Sequence, residues 1–322
     1  MKNEEIKEFL KTIPKLPGIY KMIDCNGKII YVGKSLCLNK RVKSYFVKSP
    51  RWEKVKKMVS SIHTVEYIVT DTHLDARLLE CTLIKEIRPF FNSQMKHEQG
   101  YIFLNIDEKN SKEPLNYDLE RKDCSFGPFR SKSSIRDIIY SLKYLYPITI
   151  HRDNGRTNYD FLFHTLPIHM EKDNFEKNKE ALKDILSSKE NLDIFIAQLE
   201  SNMKEAALSF KYETAAIYRN LISNLAYLSY VLNQYNQRYH QKIIAIIPTE
   251  YGHKLFFIHR GTILLQKNYK RLSQHTLDGF INKYKDYDFI YHTVENEKVK
   301  KDFTDIIYSE LENLPKEQVI FL

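Results

Sequence analysis

A β-prone run from Ile19 to Ile23 is separated from a second, Lys28 to Val32, by Asn26-Gly27, the strongest short-range hairpin signal that a sequence offers. Two paired strands are therefore expected near the start of the chain. Gly18-Ile19-Tyr20 opens the first and Tyr31-Val32-Gly33 ends the second. Basic helical segments then run to about Ser61, Val65 to Thr70 reads as a strand, and His73 to about Ile87 reads as a helix that Pro89 stops. The opening segment is thus read as a small mixed α/β domain over residues 1–101.

At 322 residues, two or three compact units are expected, each large enough for its own core. Gly100, Pro114, Gly127, Pro128, Pro147 and Gly155 punctuate a mixed connecting region, 102–173, with loops and short strands around one helix near Ser133 to Tyr144. Between about Asn174 and Asn233 there is neither Gly nor Pro, and apolar residues recur at helical spacing. Region 174–236 is accordingly read as two or three helices. In 237–322, the runs Ile243 to Ile247 and Leu255 to Ile258 surround Tyr251-Gly252-His253, and Arg260-Gly261 begins another turn, so a small α+β segment with an antiparallel sheet is expected.

A net charge of +9 favours an anionic partner, which by itself fits nucleic acid, an anionic membrane or solubility alone. Clustering narrows the choice. From Lys34 to Lys57 the bases are Lys34, Lys40, Arg41, Lys43, Lys48, Arg51, Lys54, Lys56 and Lys57, against the single acid Glu53, with Tyr45, Phe46 and Trp52 interleaved. That pattern reads as a phosphate-tracking surface, with a solvated basic helix face as the alternative. No apolar run approaches the roughly 20 residues of a membrane helix, and no signal-peptide core follows Met1, so a cytoplasmic location is expected. Cys25, Cys37, Cys81 and Cys124 are scattered without Cys-x-x-Cys spacing, which argues for reduced thiols.

Six segments come in an order and spacing that resemble the GIY-YIG nuclease domain of the UvrC family. They are Leu16-Pro17-Gly18-Ile19-Tyr20, Tyr31-Val32-Gly33-Lys34-Ser35, Lys40-Arg41-Val42-Lys43-Ser44-Tyr45-Phe46, Val69-Thr70-Asp71-Thr72, Leu78-Leu79-Glu80 with Leu83-Ile84-Lys85, and Pro89-Phe90-Phe91-Asn92. Phe126-Gly127-Pro128-Phe129 is similar to the family's next landmark. Tyrosine makes up 22 of the 322 residues, so the matched order across residue types carries the resemblance, not the tyrosines alone. Further on, Met203-Lys204-Glu205-Ala206-Ala207, Phe210-Lys211-Tyr212-Glu213 and Ala215-Ala216-Ile217-Tyr218-Arg219-Asn220 resemble the family's UVR motif, placed at about 197–232.

The resemblance implies a DNA endonuclease that makes the 3′-side nick of nucleotide excision repair and is recruited through UvrB, with UvrA acting indirectly. The layout is that of the short, Cho-like members. It implies a UvrB contact through Met203, Ala207, Phe210, Tyr212, Ala216 and Arg219, the small alanines permitting close helix approach and the aromatics serving as anchors. An ordinary intramolecular hairpin is the alternative. Tyr212, Phe210 and Asn220 depart from the Phe, Leu and Asp usual at those positions. A second nuclease domain is not expected before Leu322. The segment Ile150 to Met170 lacks the cysteine cluster of longer relatives and holds His151, His164 and His169, in no strong zinc pattern. An iron-sulfur centre is not expected.

Phosphodiester hydrolysis needs an activated water, charge neutralisation on the phosphoryl oxygens and help for the leaving alkoxide. Glu80 shares a helical stripe with Ala76, Leu83, Ile84 and Ile87, which places a carboxylate among core-facing residues. Leaving it unpaired there is costly; a single Mg²⁺ or Mn²⁺ ion relieves that cost, and a salt bridge is the alternative. Tyr31 is the candidate general base, helped by cations because a phenol is a weak acid near pKa 10. Lys34 and Arg41 are expected to supply the positive field, with Arg41 on the scissile phosphate. Tyr20 supports by hydrogen bonding, Tyr45 shares the face of Arg41 four residues on and contacts either substrate or core, and Asn92 resembles the family's site asparagine. The expected DNA contacts are Lys34, Lys40, Arg41, Lys43, Lys48 and Arg51. A catalytically silent UvrB-binding regulator and a homing-type endonuclease are the competing readings.

Overall fold

In the computed structural model, which describes residues 3–47, 52–93, 95, 100–107, 109–239, 241–285 and 296–322, helix α1 (Asn3–Thr12) leads into the expected hairpin of β1 (Gly18–Ile23) and β2 (Ile29–Ser35). Asn26-Gly27 does not make this turn alone. Asp24 Oδ1 accepts from the Asn26 and Lys28 backbone N–H groups, both at 2.9 Å, and Gly27 closes a three-residue loop at φ 76°. An aspartate bonding its own following backbone is a common way to begin such a loop.

β1 is flanked by β2 and by β3 (Thr64–Val69), both antiparallel to it, giving the order β2-β1-β3. Helices α2 (Leu38–Val47) and α3 (Glu53–Ser60) contribute Leu38, Val42 and Met58 to a core with Tyr20, Met22, Ile30 and Val65. Helix α4 (His73–Ile87) starts at a capping box between Thr72 and Asp75 and stops at Arg88, in the left-handed region at φ 50° just before Pro89. Because β2 ends the sheet, its outer backbone groups require partners from elsewhere.

Residues 99–238 form a separate compact unit. Its sheet has the order β5-β4-β6, from β4 (Ile102–Ile106), β5 (Leu115–Asp118) and β6 (Ser125–Phe129). Helix α5 (Lys132–Leu142), the hairpin of β7 (Thr149–Asp153) and β8 (Arg156–Asp160), and helices α6 (Phe175–Ser187), α7 (Lys189–Leu208) and α8 (Tyr212–Tyr239) complete it. Leu104, Phe129, Ile138, Leu182, Phe195, Leu221 and Leu228 share one core, so the mixed and helical regions of the sequence pack as one body.

Residues 239–322 rejoin 1–98 in a single unit. Strands β9 (Lys242–Thr249), β10 (Gly252–His259) and β11 (Thr262–Tyr269) form a meander, and β12 (Val319–Phe321) pairs with β9 after α9 (Gln274–Tyr284) and α10 (Glu297–Asn313). Arg260 and Gly261, at φ 51° and 67°, make the two-residue β10–β11 turn. The unbroken apolar run at Ile243 to Ile247 follows from burial on both faces. Ile244 and Ile246 meet Leu277 and Phe280 of α9, whereas Ile243, Ala245 and Ile247 lie with Ile306, Ile307 and Leu311 of α10. Leu74 and Cys81 of α4 belong to that second cluster, so α4 is held between the carboxy-terminal layer and the β1–β2 hairpin.

Candidate active site

The outer edge of β2 organises the site. Ile30 C=O accepts from Phe91 N–H at 2.9 Å, and Asn92 spans Val32, accepting from its N–H at 2.9 Å and donating to its C=O at 2.8 Å. Two residues further along the same edge, Lys34 N–H donates to Glu80 Oε1 at 3.1 Å. Alternate residues of one strand thus use their outward backbone groups to fix an amide and a carboxylate.

Pairing of Tyr20 with Gly33 and of Met22 with Tyr31 makes Tyr20 and Tyr31 diagonal neighbours on one sheet face, their ring centroids 6.1 Å apart. Gly33 makes room for this arrangement, since a Cβ there would lie 2.4 Å from Tyr20 Oη. Helix α2 covers the pair. Tyr45 Oη lies 2.9 Å from Tyr20 Oη, Arg41 Nε donates to Tyr20 Oη at 3.3 Å, and the Arg41 guanidinium sits 5.2 Å from the Tyr45 ring centroid. Among the described residues no hydrogen bond to the terminal nitrogens of Arg41 is formed, which leaves its fork available to a phosphate. Tyr45 therefore packs with the site's own aromatics and also bonds within it.

Lys34 points elsewhere. By alternation it lies on the opposite sheet face from Tyr31, where its Nζ is 3.2 Å from His73 Nε2 on α4. His73 Nδ1 lies 3.0 and 3.2 Å from the two carboxylate oxygens of Glu310, which also accepts from Arg77 Nη1 at 2.8 Å. His73, Arg77 and Glu310 did not figure among the sequence candidates. His73 and Arg77 precede Glu80 at i, i+4, i+7 spacing, which is a usable signal; Glu310 has no local one.

Burial raises the Glu80 carboxyl above the usual range, and the opposing effects of Lys34, Arg77 and His73 do not cancel it. Among the described residues Glu80 forms no ion pair, so the salt-bridge alternative is not realised there. Tyr31 departs from expectation in its electrostatics. Burial pushes it well up, the Tyr45 hydroxyl and the Glu80 charge add to this, and Arg41 only opposes it. Lys34 is itself lowered by burial and by Arg77. Among the described residues, Arg41 opposes the rise at Tyr31 without offsetting it.

A half-buried carboxylate, fixed through one oxygen and free of ion pairing among the described residues, fits a single hard cation that keeps several waters. No cluster of three or more His, Cys, Asp or Glu side chains with metal-site geometry occurs among the described residues. His164 Nε2 instead lies 2.7 Å from Tyr146 C=O, and His151 pairs with Asp160 at 3.2 Å. Asn92, the asparagine that the resemblance places in the site, is buried with both ends of its amide engaged by Val32.

Lys40, Arg41 and Lys43 are exposed on α2, as are Trp52, Lys54, Lys56 and Lys57 around α3; Lys48 and Arg51 lie outside the described residues. In the other unit, α7 and α8 form a hairpin whose tip exposes Leu208, Phe210 and Tyr212 at 81%, 79% and 64%. The Phe210 and Tyr212 rings meet edge to face at 6.3 Å. Ala207 and Arg219 are exposed, Ala216 is half-buried, and Met203 packs against the unit's own core instead of lying open.

Residues 16–93 match the UvrC-like GIY-YIG domain and residues 193–228 match the UvrB/UvrC motif. The chain is 35% identical over 240 residues to the UvrABC system protein C of Acetivibrio thermocellus, covering 70% of this chain and 38% of that one. It is 32% identical over 287 residues to that of Alkaliphilus oremlandii, covering 82% and 45%. The chain thus spans less than half the length of these two relatives. The magnesium-bound GIY-YIG N-terminal endonuclease domain of UvrC from Thermotoga maritima is 34% identical, with 29% of this chain and 100% of that one covered and a TM-score of 0.26. The chain belongs to the UvrC family, with a GIY-YIG domain at 16–93 and a UVR motif at 193–228.

Proposed function

We propose that this chain is a metal-dependent DNA endonuclease that nicks one strand on the 3′ side of damage during nucleotide excision repair, recruited through UvrB. The observation that carries the reading is Glu80, a carboxylate fixed by the edge of β2 beside the Tyr20, Tyr31, Arg41 and Tyr45 cluster without an ion pair of its own among the described residues.

Glu80 is the residue to hold the divalent ion. When bound, that ion supplies positive charge to the phosphate and acidifies nearby water. Arg41 presents its terminal nitrogens to the scissile phosphate and offsets charge that grows in the transition state. Tyr31 orients the attacking water and takes its proton, a role in which burial opposes it and added positive charge is required. Tyr20, buried and bonded to both Arg41 and Tyr45, keeps those two side chains in place. Lys40 and Lys43 hold the backbone of the duplex along α2. Phe210 and Tyr212 at the α7–α8 tip anchor UvrB.

The test is incision of an end-labelled duplex carrying one bulky lesion, with and without UvrA and UvrB, in Mg²⁺ or Mn²⁺. A UvrB-dependent nick on the 3′ side is expected, falling by about 10²-fold or more in Tyr31→Phe. A folded protein that binds UvrB and makes no nick would refute the reading and favour a regulator.

A further inference from the structure

Lys34 meets His73 within the GIY-YIG domain, and His73 is held from outside that domain by Glu310. Its ammonium has protons to donate and no lone pair, so His73 Nε2, 3.2 Å away, must present its lone pair. The His73 proton then sits on Nδ1, which faces both oxygens of Glu310 at 3.0 and 3.2 Å. Only this placement satisfies both contacts, and a carboxylate that fixes one nitrogen of an imidazole also fixes what the other can do. Arg77 holds Glu310 in turn, donating to its Oε2 at 2.8 Å and to Ser309 Oγ at 2.6 Å. The side chains of His73 and Arg77 are 17% exposed and that of Glu310 is 11%, so water competes weakly for these bonds.

Docking of the carboxy-terminal layer on α4 does not depend on this contact alone. Lys85 pairs with Asp302 at 2.5 Å, and Lys254 reaches Asp71 and Asp75 at 3.0–3.1 Å. Leu74 and Cys81 share a core with Ile306, Ile307 and Leu311. Glu310 can therefore be altered with the two layers still joined.

We infer that Glu310 is a positioning residue of the nicking site: through His73 it fixes Lys34, whose ammonium His73 holds and whose backbone N–H holds Glu80. The inference rests on the proposed endonuclease reading. It makes the carboxy-terminal α+β segment part of the active-site scaffold, joined to His73 across 237 residues of sequence.

The experiment compares single-turnover nicking and DNA affinity of the full chain with those of Glu310→Ala, Glu310→Gln, His73→Ala and the Glu310→Ala/His73→Ala double variant. Alanine at either position is expected to slow the nicking step about tenfold with DNA affinity unchanged, the double variant being no slower than His73→Ala alone. Glu310→Gln keeps an acceptor for the Nδ1 proton and should restore part of the rate. Multiplicative losses, or losses confined to DNA affinity, overturn the inference. Nitrogen-15 NMR of the His73 ring gives a readout apart from activity. The Nδ1-protonated tautomer is expected in the wild type and a mixture in Glu310→Ala. If the wild type does not nick, the endonuclease reading fails, and the ring spectrum still decides between a tautomer set by Glu310 and one indifferent to it. An indifferent tautomer overturns the relay whatever the activity.

Discussion

Asn92→Ala separates a structural asparagine from a substrate-facing one. Val32 is fully buried, and its N–H and C=O both bond the Asn92 amide, at 2.9 and 2.8 Å. Truncation leaves one donor and one acceptor unpaired, each at about 1–3 kcal/mol. Because the two share a single vacated space, a combined loss of about 2–4 kcal/mol is expected, which for a unit of this size lowers its thermal midpoint by roughly 5–15 °C. Hydrogen exchange at the Val32 amide is the sharper assay, since its protection should collapse while that of the β1–β3 pairing persists. Asn92→Asp adds a sign. The new carboxyl keeps an acceptor for the Val32 N–H but sets a second oxygen against the Val32 C=O, so its ionised form is disfavoured and its folded pKa lies above the unfolded one. Stability of that variant is then greatest at low pH and is lost as pH rises through the raised folded pKa. If Asn92→Ala melts like the wild type with Val32 still protected, and only nicking is lost, the amide serves substrate and the edge argument is wrong.

Glu80→Gln should reduce nicking at least about 100-fold while leaving the thermal midpoint at neutral pH equal to or above that of the wild type, because the folded protein disfavours the ionised acid; a clear drop in midpoint would show that the charge is structural. Lys40→Ser/Lys43→Ser should reduce the slope of log affinity against log salt by about 1.8, two phosphate contacts at about 0.9 each, in duplex-binding titrations; an unchanged slope would remove α2 from the DNA surface. Phe210→Ala and Tyr212→Ala, at a tip exposed by 79% and 64%, should each weaken UvrB binding at least about tenfold with the melting curve within 1–2 °C of wild type, by calorimetry; equal affinity would assign the tip elsewhere.

What was legible in the sequence follows period and range. The hairpin, the α4 boundaries and the return of an antiparallel sheet after Lys242 are local, set by turn residues, caps and alternation, and they read directly. Tyr20, Tyr31, Arg41 and Tyr45 converge because strand pairing and one helix suffice to bring them together. Lys34 shows a limit of reading by proximity in sequence: grouped with Arg41 as a source of field on Tyr31, it lies three residues on, so the pleat turns it to the other face and toward His73. Strand alternation by itself separates Lys34 from the face that Tyr31 and Arg41 share. Asn92 required more, because its task depends on which edge of β2 is left unpaired, a property of the sheet order β2-β1-β3 and not of any residue near it. Glu310 required most. In its own helix it stands among acids and lysines as an ordinary charged position, and only the burial of α4 between two layers turns it into the partner of His73 and Arg77. Long-range polar contacts of this kind leave no periodic trace, since a single hydrogen-bonded pair constrains one residue at each end. The apolar cluster that brings them together does leave one, in the run Ile243 to Ile247 whose two buried faces demand two covering layers.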